Sequence, residues 1–290
     1  MKLNRLGVWT NLDTLPAAQS AALAQRVERW GYSALWLPEA VGRNGLVHAG
    51  WLLANTQKLI IATGIVNIYA RDAVAMNAAH HTLNELSGGR FLLGMGVSHM
   101  PLVEFRGHEY SGKPVATMRT YLQAMKSSRY LAPPPPEPPT TVIAALGPQM
   151  LALAAAEADG AHPYNITPEH TAQARAILGP GKLLCPEQKV LLETDPTKAR
   201  AAARKALSVY MALPNYRNNW LRLGFSEDDL AGAGSDRFID AMVAWGDETA
   251  IRRRIQQHWD AGADQVAINP LRVDGEFAPD EKVLELLAPG

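Results

Sequence analysis

Two stretches of sequence decide the fold, namely Thr63-Gly-Ile-Val-Asn-Ile-Tyr-Ala-Arg-Asp72 and Leu86-Ser-Gly-Gly-Arg-Phe-Leu-Leu-Gly-Met-Gly-Val-Ser-His99. Each contains an apolar run that ends in glycine, small polar residues and an ionisable group, which is typical of a strand whose end approaches a ligand. Residues 73–86 between them form a predicted crossover helix. The order of strand, helix and strand indicates a parallel α/β unit, whose sites lie at the carboxyl ends of the strands.

The same alternation continues along the whole chain. Short apolar runs predict eight strands, at 6–9, 34–38, 60–67, 91–97, 141–146, 160–164, 189–193 and 265–269. Longer patterns predict helices at 16–30, 47–57, 73–86, 115–130 and 150–158, and a further helical group at 196–261. We therefore expect one α/β domain over residues 1–290, a (β/α)8 TIM barrel with extra helices inserted between strands 7 and 8.

Composition excludes several classes of protein. The 290 residues are 47% hydrophobic, enough for one large core, and the 28 basic and 28 acidic residues cancel, so neither a nucleic-acid nor a membrane partner is expected. No apolar run is long enough to span a bilayer, and the first residues lack a cleavable signal pattern, so we expect a cytoplasmic protein. The single cysteine, Cys185, is interpreted as a buried small residue.

Polar residues follow the predicted strands at their carboxyl ends, where parallel strands place a pocket. Each residue taken alone has an ordinary structural explanation, as a strand terminator or a solvent-facing group, but as a ring they predict a site. The ring consists of Trp9, Thr10, Glu39, Asn67, Ser98, His99, Leu146, Gly147, His162, Glu193 and Asn269.

One segment of this ring is suited to bind an anion. In Gly147-Pro-Gln-Met150, Pro148 suits the first turn of a helix, and free N–H groups of Gln149 and Met150 would face outward from its positive end. A phosphate could bind there without a basic side chain, although the same residues could form an ordinary helix start. Gly94 and Gly96 follow a dinucleotide-binding pattern only weakly, because His99 stands where its third glycine would be.

Five motifs together resemble the bacterial luciferase-like monooxygenase superfamily, and most closely its deazaflavin (coenzyme F-420)-dependent oxidoreductases. The motifs are Leu35-Trp-Leu-Pro-Glu39, Gly64-Ile-Val-Asn67, Leu86-Ser-Gly-Gly-Arg-Phe-Leu-Leu-Gly-Met-Gly96, Ala144-Ala-Leu-Gly-Pro148 and Ala158-Asp-Gly-Ala-His162. The resemblance keeps their order and spacing over nearly the whole chain. It specifies the superfamily better than it specifies the cofactor.

The resemblance implies which residues bind the cofactor, coenzyme F-420 or alternatively flavin mononucleotide (FMN). It implies a non-prolyl cis peptide at Gly64-Ile65 behind the redox ring, with Asn67 and Glu39 near its polar edge. It places the ribityl-phosphate chain along the fourth and fifth strand ends. The predicted cofactor-binding residues are Glu39, Gly64, Ile65, Asn67, Val97, Ser98, Leu146, Gly147, Gln149, Met150 and His162.

The chain departs from that resemblance at two catalytic positions. Many deazaflavin enzymes of this type have an Asp-His pair at the second strand end, where this chain has Glu39-Ala40. His99 replaces the glutamate of the sugar-phosphate dehydrogenase branch, so oxidation of a hexose phosphate is not expected. His99 and Glu39 remain the candidate catalytic residues, since an imidazole titrates near neutral pH and can move a proton.

The resemblance implies hydride transfer to or from a small organic substrate, with F-420 as the cofactor. An FMN-dependent monooxygenase that uses molecular oxygen and a non-catalytic flavin-binding protein are the alternatives. The segment Ala212-Leu-Pro-Asn-Tyr-Arg-Asn-Asn-Trp220 could contact the substrate, or else pack at a surface or interface. Relatives suggest a homodimer. His80 and His81 are adjacent on a predicted helix and face different sides, so no metal site is expected.

Overall fold

The strands of residues 3–289, which the computed structural model describes, form one parallel sheet. They are β1 (Leu6–Trp9), β2 (Ala34–Leu37), β3 (Ile60–Thr63), β4 (Val66–Asn67), β5 (Phe91–Gly96), β6 (Thr140–Ile143), β7 (Gly160–Ala161), β8 (Leu183–Leu184), β9 (Glu187–Leu192), β10 (Val243–Gly246) and β11 (Val266–Pro270). The domain predicted over residues 1–290 also includes Met1, Lys2 and Gly290, which lie outside the described residues.

Helices connect the strands on the outside of the sheet. They are α1 (Ala17–Arg29), α2 (Gly45–Ala54), α3 (Ala73–Ser87), α4 (Met100–Phe105), α5 (Pro114–Ser127), α6 (Pro148–Glu157), α7 (Pro168–Leu178), α8 (Pro196–Met211), α9 (Pro214–Arg222), α10 (Asp236–Met242), α11 (Glu248–Asp260) and α12 (Glu281–Leu286). A 3₁₀ turn, Ile68–Ala70, follows β4.

The sheet closes into the predicted barrel. Its strand order is β10-β9-β11-β1-β2-β3-β5-β6-β7-β8, and β4 pairs with β5. The barrel closes because β8 and β9 belong to one stretch of chain, which pairs with β7 on one edge and with β11 on the other. On one edge of that stretch, the Cys185 N–H donates to Ala161 O at 3.0 Å, and on the other the Ala267 N–H donates to Pro186 O at 2.9 Å. The TIM-barrel prediction is therefore confirmed.

Alternating side chains divide the core into two layers, as expected when successive residues of a strand face opposite sides. Leu35 and Leu37 of β2 face outward into the layer between sheet and helices. Trp36, between them, faces the barrel interior together with Trp9 and Cys185. Cys185 is fully buried and free, which confirms its interpretation as a buried small residue.

A separate cluster covers one side of the barrel opening. Helices α8, α9 and α10 lie between β9 and α11, so the insertion is where the sequence predicts it. Its buried centre includes Trp220 and Phe238, whose rings are 4.7 Å apart, and Leu191 from β9 joins it. This packing fixes the insertion against the barrel.

Several elements differ from the sequence prediction. The predicted strand 60–67 divides at Gly64-Ile65 into β3 and β4. β10 lies within the region predicted as wholly helical, because its four residues are too few for a period to show. Helix α7 and the short helices α4 and α12 were also missed, and α7 supplies the connection between β7 and β8.

Candidate active site

The carboxyl ends of the strands meet at one end of the barrel, which we call the mouth. Two sides of it differ in what lines them. The side formed by β2 to β6, the glycine side, presents backbone at Gly64, Gly96 and Gly147. The opposite side, the tyrosine side, presents Tyr164, Tyr210 and Tyr216, from the end of β7 and from helices α8 and α9.

The floor of the glycine side is the break between β3 and β4. The Gly64-Ile65 peptide bond is cis, as the resemblance implies. Trp9 Nε1–H donates to Gly64 O at 2.7 Å, and the Glu39 N–H donates to Ile65 O at 3.1 Å. A Cβ on Gly96 would lie 3.0 Å from Ile65 Cδ1, so the half-buried Ile65 side chain rests on bare backbone. These contacts hold an apolar face toward the opening.

The Glu39 carboxylate is already used within the protein. Its Oε2 accepts the Asn67 N–H at 3.0 Å, and its Oε1 accepts the Gly45 N–H at 3.1 Å as well as the Arg71 guanidinium. Its side chain is only 3% exposed. The Asn67 side chain in turn accepts the Tyr69 N–H at 2.9 Å. Glu39 and Asn67 therefore hold the bulged strand in place, and their predicted contacts with a cofactor stay predictions.

The chain after β5 brings His99 to the mouth. Ser98 has φ 59°, a left-handed conformation that turns the backbone sharply, and His99 then precedes helix α4. Val97, Ser98 and His99 are all half-buried. Burial lowers the pKa of His99, and a hydrogen bond with Asn215 opposes that shift. The imidazole therefore stays neutral near pH 7, in the form that accepts a proton.

Helix α6 begins at the mouth with no side-chain cap. Gly147 is the residue before its first turn, and Pro148 is in that turn. The Met150 N–H donates to Gly147 O at 3.1 Å, so the expectation that it faces outward is wrong. Within the described residues, the Gln149 N–H has no acceptor and remains available. Leu146 and Gly147 are half-buried beside it.

Three polar side chains surround this helix start; the sequence analysis named only the segment that contains Asn219, as a possible substrate contact, and did not identify Arg222 or His170. A Cβ on Gly147 would lie 3.5 Å from Arg222 Nη2 of helix α9. Arg222 Nη2–H donates to Asn219 Oδ1 at 3.2 Å, and the buried Asn219 Nδ2 has no partner. His170 Nε2 lies 2.8 Å from Leu146 O, and its buried Nδ1 also has no partner. A guanidinium and the unpaired amide donor of Asn219 thus lie where an anion was predicted, while His170 Nδ1, which carries no proton, does not contribute a donor.

His162, a predicted cofactor-binding residue, lies beneath the floor of the mouth. It is 1% exposed, and its ring stacks on Trp36 at 4.4 Å. Its Nδ1 lies 2.6 Å from Cys185 O, so this nitrogen carries the proton. Its bare Nε2 would be 2.7 Å from a Cβ on Gly64. Burial lowers the pKa of His162 to about 4. His162 therefore supports Gly64 from below, and its direct contact with a cofactor stays a prediction.

The tyrosine side contains a buried ion pair that the sequence analysis did not identify. Lys189 Nζ donates to Glu187 Oε1 at 2.9 Å and to Asn165 Oδ1 at 2.5 Å. Asn269, a predicted ring residue, donates from Nδ2 to Glu187 Oε1 at 2.8 Å. The Glu187 and Lys189 side chains are 1% and 2% exposed. Two charges spaced i, i+2 on a strand share one face, and this was the available signal.

An aromatic wall stands in front of this ion pair. Neighbouring ring centroids are 5.0 Å apart between Trp9 and Tyr164, 5.5 Å between Tyr164 and Tyr210, and 5.3 Å between Tyr210 and Tyr216. Tyr216 continues the wall to His99, at 5.5 Å. The wall therefore connects the first strand to the His99 loop across the insertion.

The remaining ring residues take ordinary structural places. Thr10 is buried, and Glu193 caps the following turn by accepting the Asp195 N–H at 2.9 Å. In the segment 212–220, Tyr216 and Trp220 are buried, and Trp220 Nε1–H donates to Asn165 O at 3.0 Å. This segment thus packs within the insertion and also contributes Tyr216 to the mouth.

Residues 3–289 contain neither a metal-binding cluster nor a membrane-spanning helix. No group of three or more His, Cys, Asp or Glu side chains there could hold a metal ion. His80 Nε2 lies 3.2 Å from Thr140 O, while the His81 ring stacks on Tyr130. No helix in that range is long and apolar enough to cross a membrane.

Comparison with known proteins identifies the family. A family model described as luciferase-like monooxygenase matches residues 1–265, and the chain belongs to this family. A Mycobacterium tuberculosis protein named "Putative coenzyme F-420-dependent oxidoreductase" is 24% identical, over 92% of this chain and 94% of its own length.

Solved structures share the fold. An F-420-dependent secondary alcohol dehydrogenase, in complex with an F-420–acetone adduct, superposes with a TM-score of 0.78 at 14% identity, covering 99% of this chain and 98% of that one. The oxygenating constituent of 3,6-diketocamphane monooxygenase from Pseudomonas putida, in complex with FMN, gives 0.73 at 11% identity, with the same coverage. The fold is thus common to proteins described with either cofactor.

Proposed function

We propose that this protein is an F-420-dependent oxidoreductase, which transfers a hydride to or from a small organic substrate at the mouth of the barrel. The observation that carries the proposal is the start of helix α6. There an uncapped turn at Gly147 faces Arg222, opposite the apolar floor at Ile65. A site with a flat apolar face and a separate anion site suits a ring with a phosphate-bearing chain.

The residues at the helix start fit such a phosphate. The Gln149 N–H points from the positive end of α6, and Arg222 adds a formal charge. The buried Asn219 Nδ2 lacks a partner in the described residues, and its N–H groups could donate to a bound anion. A Cβ at position 147 would occupy the space in front of Arg222. The phosphate is common to F-420 and FMN, so F-420 is preferred because of the Mycobacterium tuberculosis relative.

When bound, the deazaflavin would supply hydride chemistry, and the chain would supply position and a proton route. Ile65 presents the face against which the ring would lie, and the half-buried Val97 and Ser98 would contact the chain that leads to the phosphate, as the family resemblance implies. His99 lies between the glycine side and Tyr216, where its neutral imidazole can take or return a proton. Glu39, paired with Arg71, keeps the floor rigid rather than reacting itself.

Turnover under controlled oxygen separates the proposed activity from its alternatives. Purified protein is incubated with reduced F-420 and ketones, with oxidised F-420 and alcohols, or with reduced FMN and either class of substrate, each with and without oxygen. We expect substrate-dependent oxidation of reduced F-420 by ketones or reduction of oxidised F-420 by alcohols, which oxygen does not change. Turnover that requires FMN and oxygen would indicate a monooxygenase. Tight binding of either cofactor without turnover would indicate a storage protein.

We also propose that the protein is a cytoplasmic homodimer. Helix α2 leaves Val47 73% and Trp51 45% exposed, and such apolar side chains suit a contact with a second copy. Light scattering during gel filtration measures the mass directly. A mass near twice 31.5 kDa is expected, and a monomer at micromolar concentration would contradict the proposal.

A further inference from the structure

The aromatic wall carries a pair of hydroxyl groups that the proposed hydride transfer does not yet use. Tyr164 and Tyr210 approach each other from separate elements, the end of β7 and helix α8, and their hydroxyl oxygens are 2.9 Å apart. Both rings lie deep in the mouth but keep part of their surface exposed. The polar groups directly behind them, Lys189 and Asn165, are each only 2% exposed. The two tyrosines are therefore the partly exposed edge of a buried polar network.

We infer that the Tyr164 and Tyr210 hydroxyls form a subsite that donates a hydrogen bond to an uncharged oxygen, a carbonyl or alcohol oxygen, of a flat cyclic or aromatic substrate. This inference deepens the proposed function, because it names the class of substrate for the same mouth. It rests on the count of donors, the charge behind the pair and the shape of the walls.

The count of donors leaves one O–H group free. Two hydroxyls carry two protons, and the bond between Tyr164 and Tyr210 uses one of them. Among residues 3–289, neither hydroxyl has any other hydrogen-bond partner. Burial raises the pKa of Tyr210 to about 12 and also raises the pKa of Tyr164 well above its ordinary value. Both groups stay protonated at neutral pH, so the pair serves as a donor and not as a base.

The charge behind the pair favours a neutral ligand. Lys189 Nζ lies 4.0 Å from the ring centroid of Tyr164 and 5.3 Å from that of Tyr210. A cation over a phenol ring withdraws electron density and strengthens its O–H as a donor. Glu187 and Asn165 accept hydrogen bonds from the same ammonium, so no net positive charge is left to attract a carboxylate or a phosphate. The subsite therefore selects against anionic substrates.

The walls favour a flat ligand. Trp9 lies against Tyr164, and Tyr216 lies against both Tyr164 and Tyr210, with ring centroids 6.2 and 5.3 Å away. Aromatic surfaces of this kind bind rings by stacking and by apolar contact. His99, beside Tyr216, lies at the end of the wall nearest the glycine side. A ring held by these walls would direct its oxygen to the hydroxyl pair.

Ligand binding without cofactor tests the subsite apart from the proposed activity. Three probes share an aromatic ring. Acetophenone carries an uncharged carbonyl oxygen, toluene carries no oxygen, and benzoate carries a carboxylate. Ligand-observed NMR measures their affinities for the wild type and for Tyr164→Phe and Tyr210→Phe. The matched control is Tyr130→Phe, which removes a hydroxyl that lies 3.2 Å from Thr82 Oγ1 on the outer surface.

The wild type and the Tyr130→Phe control should bind acetophenone about tenfold more tightly than toluene or benzoate. Tyr164→Phe and Tyr210→Phe should each bind acetophenone about five- to tenfold more weakly than the wild type does. Urea unfolding verifies that the variants are folded. Equal acetophenone affinity in all variants, tightest binding of benzoate, or no binding to the wild type would overturn the inference. Titration with F-420 on the same samples is a separate arm. A protein that prefers acetophenone but does not bind F-420 would refute the proposed cofactor and leave the subsite standing.

Discussion

The two sides of the mouth differ in the atoms that form their surface, which are backbone atoms on the glycine side and side-chain atoms on the tyrosine side. On the glycine side, backbone forms the surface: a Cβ at Gly64 or Gly94 would meet neighbouring atoms at 2.7 or 1.9 Å, and a Cβ at Gly147 would fill the space before Arg222. On the tyrosine side, side chains form the surface, because the buried Glu187–Lys189 pair lies behind phenol rings. A backbone surface presents the same N–H and C=O groups whatever the neighbouring sequence. A side-chain surface changes with each substitution, so the glycine side suits a constant cofactor and the tyrosine side a particular substrate.

The largest expected effect comes from the tyrosine side. Lys189→Met leaves the buried Glu187 carboxylate without its partner, and such a loss costs about 3–5 kcal/mol. Urea unfolding should show this loss, and the double variant Glu187→Gln/Lys189→Met should recover much of it. Arg252→Met is the matched control, because it breaks an exposed pair with Glu248 and should cost less than about 1 kcal/mol. An equally small loss of unfolding free energy for Lys189→Met would show that the ion pair does not support the tyrosine side.

Buried histidines on both sides make stability depend on pH. His162 lies below the glycine side, and burial lowers its pKa to about 4. His258 lies behind the tyrosine side, where its Nε2 is 2.9 Å from Gln188 Oε1, and burial lowers its pKa to about 3. The unfolded chain takes up protons below about pH 6.5 and the folded chain does not, so stability falls as pH falls.

The two histidines together should cost about 4 kcal/mol between pH 7 and pH 5, at about 1.4 kcal/mol per pH unit each below pH 6.5. Urea unfolding at a series of pH values measures the slope. His258→Gln should reduce it, and stability that is constant from pH 7 to pH 5 would show that these imidazoles are not buried in the neutral form.

Gly94→Ala tests whether the glycine side is truly closed to side chains. The added Cβ would lie 1.9 Å from Thr63 O, a backbone atom that cannot turn away. We expect a loss of about 3 kcal/mol in the free energy of unfolding. Gly50→Ala in helix α2 is the control, because its Cβ would meet only the flexible end of Leu83, at 3.3 Å. If both variants are equally stable, the strand can move and the backbone surface is not rigid.

Gly147→Val separates binding from folding on the same side. Gly147 has φ −82° and ψ 157°, which valine adopts readily, so stability should hold. The branched side chain would fill the space before Arg222 and weaken F-420 binding about 100-fold, or roughly 2.7 kcal/mol. Fluorescence titration measures the affinity, and Gly147→Ala should lose less. Unchanged affinity in the valine variant would mean that the phosphate binds elsewhere.

Sequence reasoning reached the glycine side because its signals are local. The glycines, the apolar runs and the Gly-Pro helix start at Gly147 are all visible within a few residues of one another, and they predict the barrel. The break at Gly64 was implied only by the family resemblance, because the apolar run 60–67 predicts one unbroken strand. The hydrogen bonds of Glu39 were not visible, because Arg71 and Gly45 reach it only once β2 and β3 are paired.

The sequence analysis did not identify most of the tyrosine side, because its contacts join distant segments of the chain. Tyr210 and Arg222 come from an insertion whose position over the mouth depends on the packing around Trp220 and Phe238, which no local period specifies. Glu187 and Lys189 read as ordinary charged residues at the start of a strand until the closed barrel buries them. Long-range packing, rather than propensity, decides this side.

The most direct test of the account is a side-by-side titration of the wild-type protein with F-420 and with FMN, followed by fluorescence without oxygen. The account predicts saturable binding of both through the phosphate site, with F-420 bound more tightly. Tighter binding of FMN would reassign the mouth to a flavin, and failure to bind either cofactor would contradict the claim that this barrel holds a redox ring.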